Sequence, residues 1–202
     1  MSSATSTITR TPLHTRAVTY RGFARSDGLW DIEASMRDTK DYTFERFERG
    51  ALIAGTPLHD MFVRVTVDSN LKIVAIETSM PATPFTECIH AAPPVQRLIG
   101  ATLGRGWRKA IESAMGGVEG CTHLRELLFN LATAAFQTIP SYIEHQQRQA
   151  GSPPPQPTVV PPYVGQCMSW RRDGPAVQRF YPQFYAARPG VGADSGKESG
   201  KE

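Results

Sequence analysis

The sequence predicts an α+β domain: an antiparallel β-meander followed by helices packed on one face, then a proline-rich linker and an aromatic C-terminal tail. Three observations predict it. Before Phe85, apolar and polar residues alternate in pairs of runs, the period-two pattern of half-buried strands. After Phe85 the apolar spacing becomes that of helices. Proline then gathers between residues 151 and 162.

Residues 1–14 are polar and are expected to be disordered. Residues 16–37 read as a hairpin. Its first arm holds Val18, Tyr20 and Phe23, and Asp27-Gly28 supplies a two-residue turn. In its second arm Trp30, Ile32, Ala34 and Met36 alternate with Asp31, Glu33 and Ser35, so one face is apolar and the other acidic. The charged stretch 38–57 has room for a short strand at Tyr42–Phe47. A second hairpin follows: Met61, Val63, Val65 and Val67 alternate with Phe62, Arg64 and Thr66, Asp68-Ser69-Asn70 turns, and Leu71–Met80 returns. Pro81 and Pro84 end the sheet, because proline cannot donate to a ladder.

Pro93-Pro94 opens a short helix ending at Gly100, and Trp107–Met115 forms another, stopped by Gly116-Gly117. The strongest helix spans about 122–139, where Leu124, Leu127, Leu128, Leu131, Ala135 and Ile139 form an apolar stripe. Thr122 is its expected N-cap, Gly120 loosens the entry, and Pro140 is expected to stop or kink it, with a polar turn at 145–149 extending it. The core domain is therefore 15–150. The linker, 151–162, is expected to be an extended polyproline strut. The tail, 163–187, carries Tyr163, Trp170, Phe180, Tyr181, Phe184 and Tyr185. So many aromatics are expected to dock on the core or on a neighbouring subunit, which makes a homodimer through this tail an expectation. Residues 188–202 are mainly Gly, Ser, Lys and Glu and are expected to be disordered.

Composition excludes several classes. Of 202 residues 40% are hydrophobic, enough for a core. Lys and Arg total 22 against 19 Asp and Glu, and a net charge of +3 is too balanced to point to nucleic acid. The most apolar stretch, Leu124–Ile139, is interrupted by Arg125, Glu126, Asn130 and Gln137, so no membrane span is expected. Cys88, Cys121 and Cys167 are odd in number and widely spaced, unlike a disulfide framework. With no apolar block of signal-peptide length at the N-terminus, a reduced, cytoplasmic setting is expected.

The sequence has no phosphate-binding glycine loop, nucleophile elbow or His-Glu-x-x-His. Its candidate chemistry lies in looser groupings. Gly120-Cys121-Thr122-His123 opens the best helix, where unpaired backbone N–H groups and the helix dipole favour a thiolate, a neutral histidine or a bound anion. His59-Asp60 enters a strand as a possible general base with an acid to orient it. Cys88-Ile-His90 and Cys121-Thr-His123 offer two sulfurs and two nitrogens, a donor set for zinc or iron. The acidic face and its continuation, Asp31, Glu33, Asp38 and Lys40, can divide acid and base roles if one carboxylate is buried.

At these residues the chain resembles an uncharacterised bacterial family, domain of unknown function 2889. The resemblance rests on Asp27-Gly-Leu-Trp-Asp-Ile-Glu33 with Asp38-x-Lys40, on Gly55-Thr-Pro-Leu-His-Asp60, and on Gly106-Trp107 with Gly-Cys-Thr-His-Leu124. Cys167-x-x-Trp170, Asp173-Gly and Phe-Tyr-Pro182 extend it through the tail. It implies one domain spanning about 16–185, with no settled activity, and it suggests a catabolic role in bacteria that degrade aromatic compounds. A weaker similarity of topology, a cysteine after the meander and another at the start of a long helix, is to iron–sulfur scaffold proteins. Those carry a further cysteine in the meander, which this sequence lacks.

Two functions follow. The first is a cofactor-independent lyase or isomerase acting on a lignin-derived or related phenolic compound, possible chemistry being retro-aldol-type loss of a small carbonyl fragment. His59, Asp60, His123, Cys121 and Lys40 are its expected catalytic residues. Trp30, Glu33, Asp38 and Thr122 are its expected substrate-binding residues. The second is a non-catalytic metal- or iron–sulfur-handling scaffold using Cys88, His90, Cys121 and His123 as ligands.

Overall fold

Alternation in the sequence becomes an antiparallel sheet in the computed structural model, which describes residues 8–152 and 156–187. Strand β1 (His14–Ala24) pairs with β2 (Trp30–Lys40). A small separate hairpin, β3 (Phe44–Arg46) with β4 (Gly50–Leu52), interrupts the meander. Strand β5 (Pro57–Val67) then pairs with β2, and β6 (Ile73–Ala82) with β5, giving the order β1-β2-β5-β6. Two 3-10 turns, Thr86–Ala91 and Pro93–Leu98, lead to α1 (Trp107–Met115) and α2 (Thr122–Gln149). Expected disorder at 1–7 and 188–202 lies outside the described residues, while 8–13 form no strand or helix.

One face of the sheet holds the core. Trp30, Ile32, Ala34 and Met36 of β2 and Met61, Val63, Val65 and Val67 of β5 are all buried. Against them pack Trp107, Ile111 and Met115 of α1 and the stripe Leu124, Leu127, Leu128, Leu131, Ala135, Ile139 of α2. Burial of each Val, Leu, Ile or Met among them contributes about 1.5–3 kcal/mol. The Trp107 indole N–H donates to the Leu128 carbonyl at 2.8 Å and ties the two helices together. Helix α2 also approaches the edge strand closely: a Cβ on Gly22 would overlap Thr138.

Three local expectations are corrected. The first connection is a five-residue loop, since Ala24 already pairs with Trp30. Asp27 accepts from the Leu29 N–H and from Arg25, and Gly28 takes φ 82°, so side-chain bonding widens the turn beyond two residues. The N-cap of α2 is Cys121, with Thr122 one position inside. Pro140 does not stop α2, which runs on to Gln149. Beyond the proline, Ile143 packs on the core, Tyr142 meets Trp30 edge-on at 5.9 Å, and Glu144 pairs with Arg148 at 2.7 Å. These contacts outweigh the hydrogen bond that the proline cannot make.

The chain divides into two compact units, Met1–Ser152 and Pro153–Glu202. In the second, α3 (Pro175–Phe180) and a ring cluster organise the described residues. Trp170 lies 5.1 Å from Tyr163 and 5.7 Å from Tyr181, and the two tyrosine hydroxyls are 2.6 Å apart. The tail aromatics thus pack on one another. No described helix is long and apolar enough to cross a membrane.

Pro140 is exposed and lacks the donor that its place in a helix calls for. Pro140→Ala is expected to raise the unfolding free energy by about 1–3 kcal/mol, read from urea denaturation followed at the helix signal.

Candidate functional site

The site begins where the inner face of the sheet stops being apolar. Residues two apart on a strand share a face, so Asp38 follows Trp30, Ile32, Ala34 and Met36 inward, and His59 precedes Met61, Val63, Val65 and Val67. The β2–β5 register sets Asp38 directly opposite His59. Both are buried, Asp38 at 2% exposure. The β1–β2 register brings Arg16 opposite Asp38 from the other side.

The Asp38 carboxylate is fully engaged. Arg16 donates to it twice, through Nε and Nη2, each at 2.8 Å. His14 Nε2 lies 3.1 Å from Oδ1, and His59 Nδ1 lies 2.9 Å from Oδ2. Arg16 extends through Nη1 to Glu126 of α2 at 3.2 Å. Burial alone raises the carboxyl pKa, but the Arg16 bonds and charge, with His14 and His59, outweigh it and hold Asp38 at about 2.

An ionised carboxylate has no proton to donate. His59 Nδ1 is therefore the donor, and Nε2 carries the lone pair. The ring of His123, in the first turn of α2, lies 4.1 Å from that of His59, tilted by 48°. Burial, then the neighbouring His123, push the His59 pKa down against the pull of Asp38. Burial, then the Arg16 charge, push His123 down as well. Both imidazoles are thus kept neutral at pH 7, the state a base or a hydrogen-bond donor needs.

Cys121 connects this pair to a cleft. Its Sγ lies 3.7 Å from His123 Nδ1. The same residue lines a cleft of about 520 Å³ together with Phe85, Cys88, His90 and Val118. Gly120 is needed at its edge, because a Cβ there would overlap the Met115 carbonyl.

The sequence-predicted residues separate accordingly. His59, His123, Asp38 and Cys121 come together. Asp60 does not orient His59, because the next residue on a strand faces the other way; it pairs in register with Arg37, and Asp38 takes the orienting role. Lys40 ends β2 with its ammonium 6.0 Å from the Tyr42 ring. Thr122 is exposed beside His123. Trp30 belongs to the core at the far end of β2, and Glu33 is held by Arg64 at 2.8 Å among the outward-facing charges. Arg16, His14 and Glu126 are absent from the sequence-based set. The signal for Arg16 was its parity with Val18 and Tyr20 on β1, which puts a cation on the inner face.

For a metal, the one group of three or more candidate ligands among the described residues is Asp38, His59 and His123, whose donor atoms lie within 4.8 Å of one another. Cys88 and His90 are not part of it, so the four-ligand Cys/His set is not assembled. A cation held by all three would also face the Arg16 guanidinium, which already fills both carboxylate oxygens.

The model of one family, described as "Protein of unknown function (DUF2889)", matches residues 14–137, the span that contains every one of these site residues. A search of curated proteins and a search of solved structures each found no match.

Two measurements follow from the charges. Both histidine pKa values lie below their ordinary 6.5 in the folded chain, so the unfolded chain binds more protons as pH drops past 6.5. Stability is expected to fall as pH is lowered from 7 through that range, and again as Asp38 protonates below 3.8 towards 2. Urea titrations between pH 4.5 and 8 check the first limb, and His59→Ala/His123→Ala should flatten it. Asp38→Asn leaves Arg16 facing a neutral amide and is expected to cost about 3 kcal/mol, again by urea denaturation.

Proposed function

The chain belongs to the DUF2889 family of proteins of unknown function, and from its site we propose that it is a cofactor-independent lyase or isomerase working by general acid/base chemistry on a phenolic aromatic compound. One observation carries this reading: a buried imidazole, His59, is oriented by an ionised carboxylate at 2.9 Å and has a second neutral imidazole at 4.1 Å between rings. This is the arrangement of a general base with a hydrogen-bonding partner for developing charge.

In a retro-aldol-type reaction, His59 Nε2 takes the proton of a substrate hydroxyl. The C–C bond beside the hydroxyl-bearing carbon breaks, and that carbon leaves as an aldehyde. The bonding pair passes into a conjugated acceptor, which receives the proton back from the imidazolium. Atoms and electrons balance with no redox partner. His123 stabilises the negative charge while it is on oxygen. Asp38 touches no substrate in this scheme; it fixes the His59 tautomer and stabilises the imidazolium, and Arg16 keeps it ionised.

The metal-scaffold reading draws less support, because Cys88 and His90 lie outside the cluster of candidate ligands. Elemental analysis of freshly purified protein separates the two. About one equivalent of zinc or iron, lost in Cys121→Ser, would favour the scaffold.

His59→Ala is expected to lower turnover of phenolic alcohols by about 10²–10⁴-fold while the melting temperature stays that of a folded protein. Aldehyde release and mass balance on a panel of such compounds give the readout. Unchanged turnover in both His59→Ala and His123→Ala would remove the pair from the chemistry.

A further inference from the structure

We propose that the cleft beside Cys121 is the ring-binding half of the site and that it selects aromatic substrates carrying no negative charge. This rests on the acid/base reading above and names the substrate class for it.

The cleft lies between the Thr86–Ala91 turn and residues 118–121. Its volume of about 520 Å³ suits a small organic ligand. Its apolar surface is laid open: Val118 is fully exposed, and Phe85 is 40% exposed with Phe47 stacked on it at 6.4 Å and 18° between planes. Large apolar side chains left in water around a concavity mark a binding surface, and an aromatic ring matches the flat face they offer.

The β3–β4 hairpin that supplies Phe47 is fastened to this wall. Glu48 accepts from the Thr86 N–H and hydroxyl, and Arg49 donates to the Thr83 carbonyl and the Thr86 hydroxyl. The stacked pair is therefore held in place without a ligand. Cys121 then joins the cleft to the chemistry, because it lines the one and contacts His123 of the other at 3.7 Å.

Charge sets the selectivity. Glu87 and Glu119 line the cleft, and no Lys or Arg does. His90 is the one lining side chain able to become cationic. Arg49, which reaches the neighbouring segment, is already engaged by Thr83 and Thr86. The separate cleft of about 330 Å³ at Arg46 and Arg49 offers no freer cation, since Arg46 donates to the Gly50 and Arg49 carbonyls. A benzoate in the Cys121 cleft would meet two carboxylates with no counter-charge, whereas the matching benzyl alcohol loses nothing.

The test is a titration of the full-length protein with 4-hydroxybenzyl alcohol and, separately, with 4-hydroxybenzoate, followed by amide chemical shifts. The alcohol is expected to perturb residues 85–91 and 118–121, and the benzoate to bind at least tenfold more weakly. Glu87→Gln/Glu119→Gln, two changes at exposed positions, should close most of that gap. Equal affinity for the two probes, no response to the alcohol, or shifts confined to other residues would each overturn the proposal. His59→Ala separates it from the acid/base reading. Cleft binding by the alcohol with turnover untouched by His59→Ala would leave the cleft standing and remove the base. Turnover lost in that variant, with no shifts at the cleft, would do the reverse.

Discussion

One buried carboxylate organises this domain. Asp38 takes two hydrogen bonds from Arg16 and one each from His14 and His59, so β1, β2 and β5 all meet at its two oxygens. Buried charge is tolerable only when it is paired and hydrogen-bonded. The register of all three strands is therefore constrained at this end. A slip by one residue would turn Asp38 outward and leave Arg16 and His59 without their acceptor. At the opposite end β2 and β5 are held by burial of Trp30, Ile32, Val65 and Val67. The sheet thus has an apolar half that holds the core and a polar half that gathers the paired charges and the histidines.

Helix α2 serves both halves. Its leucine stripe covers the apolar half, its first turn supplies His123 beside His59, and the next turn supplies Glu126 beside Arg16. Placing a helix start over the polar half, rather than its middle, also brings Cys121 and the Gly116–Gly120 approach to the mouth of the cleft. The length of the helix beyond Pro140 has a different purpose: it lets Tyr142 and Ile143 close the far end of the core.

Much of the fold was legible because period two and period 3.6 are written in side chains. The alternations of β2 and β5, the Trp107–Met115 helix and the leucine stripe of α2 all appear where the spacing puts them. What the spacing does not carry is tertiary support, and so Pro140 reads as a terminator when packing carries the helix past it. The site was half legible. His59 and His123 stand out as residue types, and Asp38 as an acid at an inward-facing position. Asp60 attracts attention because it is next in sequence, yet on a strand the neighbour in sequence is the residue turned away. Arg16 escapes notice because β1 is mostly exposed and its inner face is too mixed to read. Only the pairing of β1 with β2, a long-range fact, shows what that arginine is for.

The partners at Asp38 come from 21 to 24 residues away, and the Arg16–Glu126 link spans 110. Such distances give the site an order of assembly on the ribosome. A nascent chain that has cleared the tunnel only as far as β6 can pair Arg16, Asp38 and His59. It has neither the second imidazole nor the wall of the cleft until the start of α2 has emerged. Completion of the histidine pair is thereby tied to synthesis of the start of α2, so that no translation product ending before His123 displays both imidazoles.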